Sequence, residues 1–202
     1  TTAHGKRPLI AVASIGMDHR EHLGGSLEAI AAEKAAAIGE GAHVISATQK
    51  PEVTAVLKQR VNEMQGSLQW VDALDASWSL GLPGDLQKRN AAVAEAALRW
   101  MRSSHAGISD KAIRQGFASA HWPGRLQWMR WRGLRLRVDG AHNPPAATEL
   151  ARERLRWDSA EGRQIWILAI QAQKQAPEML QQLLRPQDLA WIVPVPGHRS
   201  WS

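Results

Sequence analysis

Short apolar runs alternate with amphipathic stretches along almost the whole chain, and that alternation leaves few folds open. Leu9-Ile10-Ala11-Val12-Ala13 is continuously apolar and ends in Ser14-Ile15-Gly16, the pattern of a buried parallel strand. The stretch 26–38 is rich in Ala, Glu and Leu behind Ser26, a residue suited to capping a helix N-terminus. A strand is expected at 43–47, a helix opened by Pro51 and running to about 64, and a short strand at 68–71. After the turn Gly81-Leu82-Pro83-Gly84 comes a long helix, 85–102, and Ser109 caps a shorter one reaching about 120. Strands at 126–131 and 134–138 meet at Arg132-Gly133 as a hairpin. A helix follows Asn143-Pro144-Pro145, then a strand at 165–170, a helix at 177–184 and a strand at 190–193. The pattern predicts α/β sheets with parallel pairs.

Trp122-Pro123-Gly124-Arg125 breaks the alternation and reads as a linker. Two α/β pieces are expected, 1–122 and 126–202, joined at 123–125, and each reads as incomplete. Several functions are excluded or disfavoured on composition. With no cysteine, disulfides, thiolate metal sites and a cysteine nucleophile are ruled out. A metal would sit on His, Asp, Glu or a modified side chain, which favours a hard ion such as Mg²⁺. No apolar run approaches the ~20 residues that span a bilayer, and no signal peptide is visible, so a soluble, cytoplasmic protein without a membrane partner is expected. The net charge of +6 and the Arg and Trp residues between 122 and 137 raise a nucleic-acid reading. The basic residues are spread over several elements, so a solvated surface with affinity for an anionic small molecule is preferred. The 10 Trp are read as core filling.

Particular clusters carry chemistry. Ser14-Ile15-Gly16-Met17-Asp18-His19 lies past the C-terminal end of a predicted strand, where open α/β sheets collect ligands. The His19 imidazole could ligate a divalent ion there, oriented by Asp18. Glu33-Lys34 sits inside an Ala-rich helix and, by itself, reads as an exposed ion-pairing face. In Gln87-Lys88-Arg89-Asn90-Ala91-Ala92, Asn90 could hydrogen-bond an adenine edge. Arg125, between two domains, could reach a phosphate in a cleft. In Asp139-Gly140-Ala141-His142-Asn143-Pro144, Asp139 could accept from ribose hydroxyls and His142 stands at a helix entrance, where anions bind.

In this order and spacing, the clusters resemble the folylpolyglutamate synthase group of the Mur ligase superfamily across essentially the whole chain. Leu23-Gly24 and Ile30-Ala31-Ala32-Glu33-Lys34-Ala35 continue the first motif, and Trp122 to Leu126 and Val138 to Pro144 match later ones. The resemblance implies the C-terminal half of a Mur ligase-type central ATPase domain followed by part of a Rossmann-like C-terminal domain. It implies His19 as a Mg²⁺ ligand and Lys34 as a carbamylated lysine holding a second Mg²⁺. It further implies Asn90 on adenine, Arg125 on the ATP phosphates, Asp139 on ribose and His142 near the phosphates. The implied reaction joins L-glutamate to a dihydropteroate or folate carboxylate, with ATP as co-substrate, in a monomeric enzyme with no nucleic-acid partner.

The sequence departs from the family pattern in places. Met17 stands where Leu is usual, Ala36 where Gly is usual, and 170–175 lacks a Lys-Asp pair. No Gly-x-x-Gly-Lys-Ser/Thr loop occurs in the 202 residues, so this chain by itself is expected to be inactive. Three alternatives are a peptidoglycan-type Mur ligase, a noncatalytic nucleotide- or nucleic-acid-binding module, and a degenerate regulatory homologue. The first differs by an acidic-Tyr-x-His type motif where this chain has Asp139-Gly140-Ala141-His142-Asn143.

Overall fold

The computed structural model describes residues 8–17, 25–102, 107–157 and 162–201. They divide into two compact units, 1–139 and 140–202.

In the first unit, strands β1 (Leu9–Val12), β2 (His43–Ala47) and β3 (Ser67–Val71) form a parallel sheet in the order β1-β2-β3. Parallel neighbours need a crossover, and helices α1 (Leu27–Ala35) and α2 (Pro51–Glu63) supply it. Ser26 Oγ accepts from Ala29 N at 3.2 Å and so caps α1 as its position suggested. Successive β2 residues face opposite sides, so both faces of this central strand are buried. Val44 packs with Ala31, Ala35, Val53, Leu57 and Val61 of α1 and α2. Ile45 and Ala47 pack on the other face against Val93 and Ala96 of α3 (Asp85–Met101). Each buried Val, Leu or Ile among these contributes roughly 1.5–3 kcal/mol. Beyond α3, Ser109 caps α4 (Asp110–Ser119), its Oγ accepting from Ala112 N at 3.1 Å.

The hairpin of β4 (Gln127–Trp131) and β5 (Leu134–Val138) pairs antiparallel as expected. Its two-residue turn has φ +48° at Arg132 and +83° at Gly133, the doubly positive pattern that matches the twist of the flanking strands.

The second unit has its own parallel pair, β6 (Ile165–Leu168) and β7 (Leu189–Ile192), with α5 (Pro144–Arg154) and α6 (Ala176–Leu183). Ala147, Met179 and Leu183 form its buried centre. Asn143 caps α5, its Oδ1 accepting from Ala146 N at 2.9 Å, ahead of Pro144 in the first turn. Asn143→Ala is expected to lower the stability of this unit by about 1 kcal/mol, with Asn143→Asp nearly neutral. Urea denaturation followed by Trp fluorescence checks both, and equal loss in the two variants would deny the cap its role.

Two sequence readings need correction. Trp122, Trp128, Trp131 and Trp191 are each more than half exposed, so core filling does not describe them. The basic residues are not all solvated, because Arg154 is 1% exposed. Among the described residues, no helix is long and apolar enough to cross a membrane.

Candidate functional site

The C-terminal ends of the parallel strands are tied together by a glutamine that sequence reasoning did not single out. Gln49, just past β2, accepts from Ile15 N at 2.9 Å and donates through Nε2 to Ala13 O at 2.9 Å and to Ser46 Oγ at 3.1 Å. Ser46 is itself fully buried. Gln49 therefore fixes the start of the loop that leads from β1 towards Met17. On the next pair of strand ends, Thr48 Oγ1 donates to Asp72 Oδ1 at 3.1 Å. The only sequence signal for either residue is position, one or two steps beyond a strand end, where open α/β sheets form sites. His19 and Asp18 lie outside the described residues. Lys34 is exposed in the last turn of α1, beside exposed Glu33. A cation there is favourably placed against the helix C-terminus.

Asn90, in the second turn of α3, lines a cavity of about 210 Å³ with Leu80, Leu82, Gln87, Phe117 and Ala120. That is below the roughly 300–1,000 Å³ of drug-sized sites, and it suits a single ring system. The walls are mostly apolar. Asn90 Nδ2 donates to Gln87 Oε1 at 3.2 Å, which orients the amide and leaves its carbonyl oxygen to accept. The slot therefore offers apolar walls and one oriented carboxamide.

A larger cavity, about 560 Å³, lies over β3 beside α3, between Gln69, Val71, Glu95 and Trp100. None of the predicted ligand-contacting residues lines it. His43, at the start of β2, stacks on Trp100 there with ring centroids 5.4 Å apart.

Arg125 is exposed in the linker, next to a backbone held by Asp139. Leu126, whose φ is +46°, donates its N–H to Asp139 Oδ2 at 2.9 Å. This bond closes the base of the hairpin, so Asp139 has a structural task whatever else it contacts. In the second unit, His142 donates from Nδ1 to Gly140 O at 2.9 Å, which turns Nε2 away from that carbonyl.

Comparison with known proteins bears on what these groups serve. The family model described as dihydrofolate synthetase, C-terminal domain, matches residues 126–195. The dihydrofolate synthase/folylpolyglutamate synthase of Bacillus subtilis is 32% identical over 167 residues, covering 71% of this chain and 39% of that protein. The dihydrofolate synthetase of Saccharomyces cerevisiae is 31% identical over 200 residues, covering 88% of this chain and 47% of that protein. Mycobacterium tuberculosis folylpolyglutamate synthase complexed with ADP shares the fold at a TM-score of 0.79 and 26% identity, over 95% of this chain and 48% of that one. E. coli FolC in complex with DHPP and ADP gives 0.78 and 28%, over 95% and 48%. The chain belongs to the dihydrofolate/folylpolyglutamate synthase family.

The Mur ligase-type α/β architecture of this family thus holds over most of the chain. This family member spans about half, or less, of the length of the curated relatives it matches.

Proposed function

We propose that this chain carries part of an ATP-dependent ligase that joins L-glutamate to a pteroate or folate carboxylate, as dihydrofolate synthase, folylpolyglutamate synthase or both. The observation that supports this most is the likeness, over 95% of the chain, to synthases solved with ADP, combined with the apolar, Asn90-bearing slot. In this reading Asn90 reads the adenine edge, Arg125 meets the phosphates, Asp139 the ribose, and His142 presents Nε2 near the phosphates. The γ-phosphoryl group passes to the acceptor carboxylate, giving an acyl phosphate and ADP. The amine of glutamate then attacks the activated carbonyl, the bond to phosphate breaks, and inorganic phosphate leaves. Cationic groups lower the barrier by neutralising charge on the transferring phosphoryl. Under this proposal the chain has two pieces, 1–122 and 126–202, joined at 123–125; the match of the C-terminal family model from residue 126 supports it, whereas the compact units part after Asp139. A cytoplasmic monomer is part of the proposal.

Magnesium is the expected ion for such chemistry, supplying positive charge to the phosphates. Among the described residues no three His, Cys, Asp or Glu side chains gather to hold a metal ion. A site on His19 and a carbamate at Lys34 needs further ligands beyond these.

The test is ADP titrated into the 202-residue chain. Adenine protons should contact the chain, and Asn90→Ala should weaken binding about 10-fold, equivalent to about 1.4 kcal/mol, with an unchanged melting curve. Absence of any adenine contact would sink the nucleotide assignment. Ligation by the chain alone is expected to be nil.

A further inference from the structure

The parallel sheet of the first unit ends on β3, which is bonded to β2 alone, so among the described residues its other edge is open. Ser67 N–H is turned to β2 and donates to Ala42 O at 2.9 Å. By alternation along the strand, the N–H and C=O groups of Leu68 and Trp70 point to the open edge. Edge strands template pairing with another chain, and proteins blunt them with Lys, Pro, a bulge or an inward charge. Ser67-Leu68-Gln69-Trp70-Val71 carries none of these residues, and its register against β2 runs without a bulge.

The surroundings of this edge differ on its two sides. Leu68 and Trp70 pack against the core formed with α1 and α2. Gln69 and Val71 instead line the cavity of about 560 Å³ beside α3, together with Asp72, Glu95 and Arg99. The charges there do not balance. Arg99 is already committed to Glu95 and, at 3.2 Å, to Asp110. Asp72 accepts from Thr48 Oγ1, and no cation among the described residues pairs with it. The Glu95 side chain is only 15% exposed. Each of these two carboxylates has a second oxygen with capacity to accept.

We infer that β3 takes an extended peptide segment of another protein as an added strand, with basic side chains at alternate positions entering this cavity. Main-chain bonds to Leu68 and Trp70 supply affinity independent of the peptide's side chains, and the cavity selects every second one. Successive side chains on that face recur at roughly 6.8 Å. The intervening ones fall beside Leu68 and Trp70, which favours apolar residues there. A second copy of this chain is the poorer occupant. Pairing β3 with β3 would bring Asp72 and Glu95 of both copies to the joined cavity, and would add only an Arg99 already held by Glu95 and Asp110.

The experiment titrates the full chain with an acetylated, amidated peptide of alternating Val and Lys, followed by calorimetry and amide hydrogen exchange. The N–H groups of Leu68 and Trp70 should become protected on binding, while that of Gln69, which alternation turns to β2, should change little. Glu in place of Lys in the peptide should weaken binding by about 10-fold or more. Glu95→Gln with Asp72→Asn should remove most of that preference at an unchanged melting temperature. N-methylation of alternate peptide residues should abolish binding in one register and spare it in the other, since only one register turns its N–H groups to β3. That comparison needs no altered protein. Absence of protection at Leu68 and Trp70, equal loss in both methylation registers, or equal affinity for the Lys and Glu peptides overturns the inference. Protection that appears without peptide and grows with protein concentration also overturns it, and makes the edge a contact between copies. ADP binding is unaffected by any of these outcomes, so the ligase reading stands or falls separately.

Discussion

Asp188→Ala should unfold the 140–202 unit or bring it to the edge of unfolding, a loss of about 3–5 kcal/mol. Arg154 and Asp188 side chains are each 1% exposed, and the pair is bidentate, with Nη1 to Oδ2 at 2.5 Å and Nη2 to Oδ1 at 2.7 Å. The same carboxylate accepts from Arg185 N at 2.9 Å, Gln164 N at 3.0 Å and Trp166 Nε1 at 3.1 Å. Arg154 also donates to Leu183 O at 3.1 Å. Asp188 thereby ties the end of α5 to the α6–β7 turn and to the start of β6. Its removal leaves a buried guanidinium and several buried N–H donors without their acceptor. A unit this small buries proportionately little surface, so it has little stability in reserve. Arg154→Met should cost less, because Asp188 keeps three of its donors. Urea denaturation at neutral pH measures all three proteins, and a loss under about 1 kcal/mol for Asp188→Ala would refute the account.

The same carboxylate sets a pH dependence. Burial pushes the Asp188 carboxyl up, but the hydrogen bonds from Arg154, Arg185, Gln164 and Trp166 together outweigh it and hold it well below the usual carboxylate range. A depressed pKa in the folded state stabilises above the unfolded value, about 3.9, and that stabilisation drains away as pH falls below it. The second unit should therefore lose stability on acidification below about pH 4. Arg154→Met, which removes the main opponent of burial, should flatten that slope.

Legibility in the sequence followed how local each signal was. The caps Ser26 and Ser109 and the turn Arg132-Gly133 were readable because each is decided by a few neighbouring residues. The family resemblance was readable because ordered motifs are a sequence property. Arg154 was not, since its burial depends on Asp188, 34 positions away, and a basic residue in a last helical turn ordinarily faces water. Gln49 was missed for the same reason, its partner Ile15 lying 34 residues back across a crossover. The exposed tryptophans misled because composition counts a residue without saying which face of a strand carries it. Asp139 showed its motif plainly, yet its bond to Leu126 N appears only once the hairpin is folded.

Gly81→Ala should abolish the slot beside Asn90 and cost about 1–3 kcal/mol of stability. Gly81 donates its N–H to Phe117 O at 2.8 Å, which draws the loop between β3 and α3 against α4. A Cβ at this position would collide with the carbonyl oxygen of Ala120 and lie 2.8 Å from that of Ala118. Both obstacles are backbone, so no side-chain rotation relieves them. The loop and α4 must separate, carrying Leu80 and Leu82 away from Phe117 and Ala120, which form opposite walls of the cavity beside Asn90. Nearby contacts resist that separation and concentrate the strain. Arg114 lies 4.2 Å over the Trp78 ring, and Trp78 packs on Phe117 with centroids 5.6 Å apart. ADP affinity should therefore fall further than in Asn90→Ala, where one hydrogen bond is lost and the walls remain. Gly116→Ala supplies the control within α4, because a Cβ there meets nothing within 4 Å. It should raise stability by up to about 1 kcal/mol through helix propensity and leave ADP binding alone. If Gly81→Ala binds ADP as well as the parent chain does, the adenine does not sit in this slot, and Asn90 owes its position to the packing of α3.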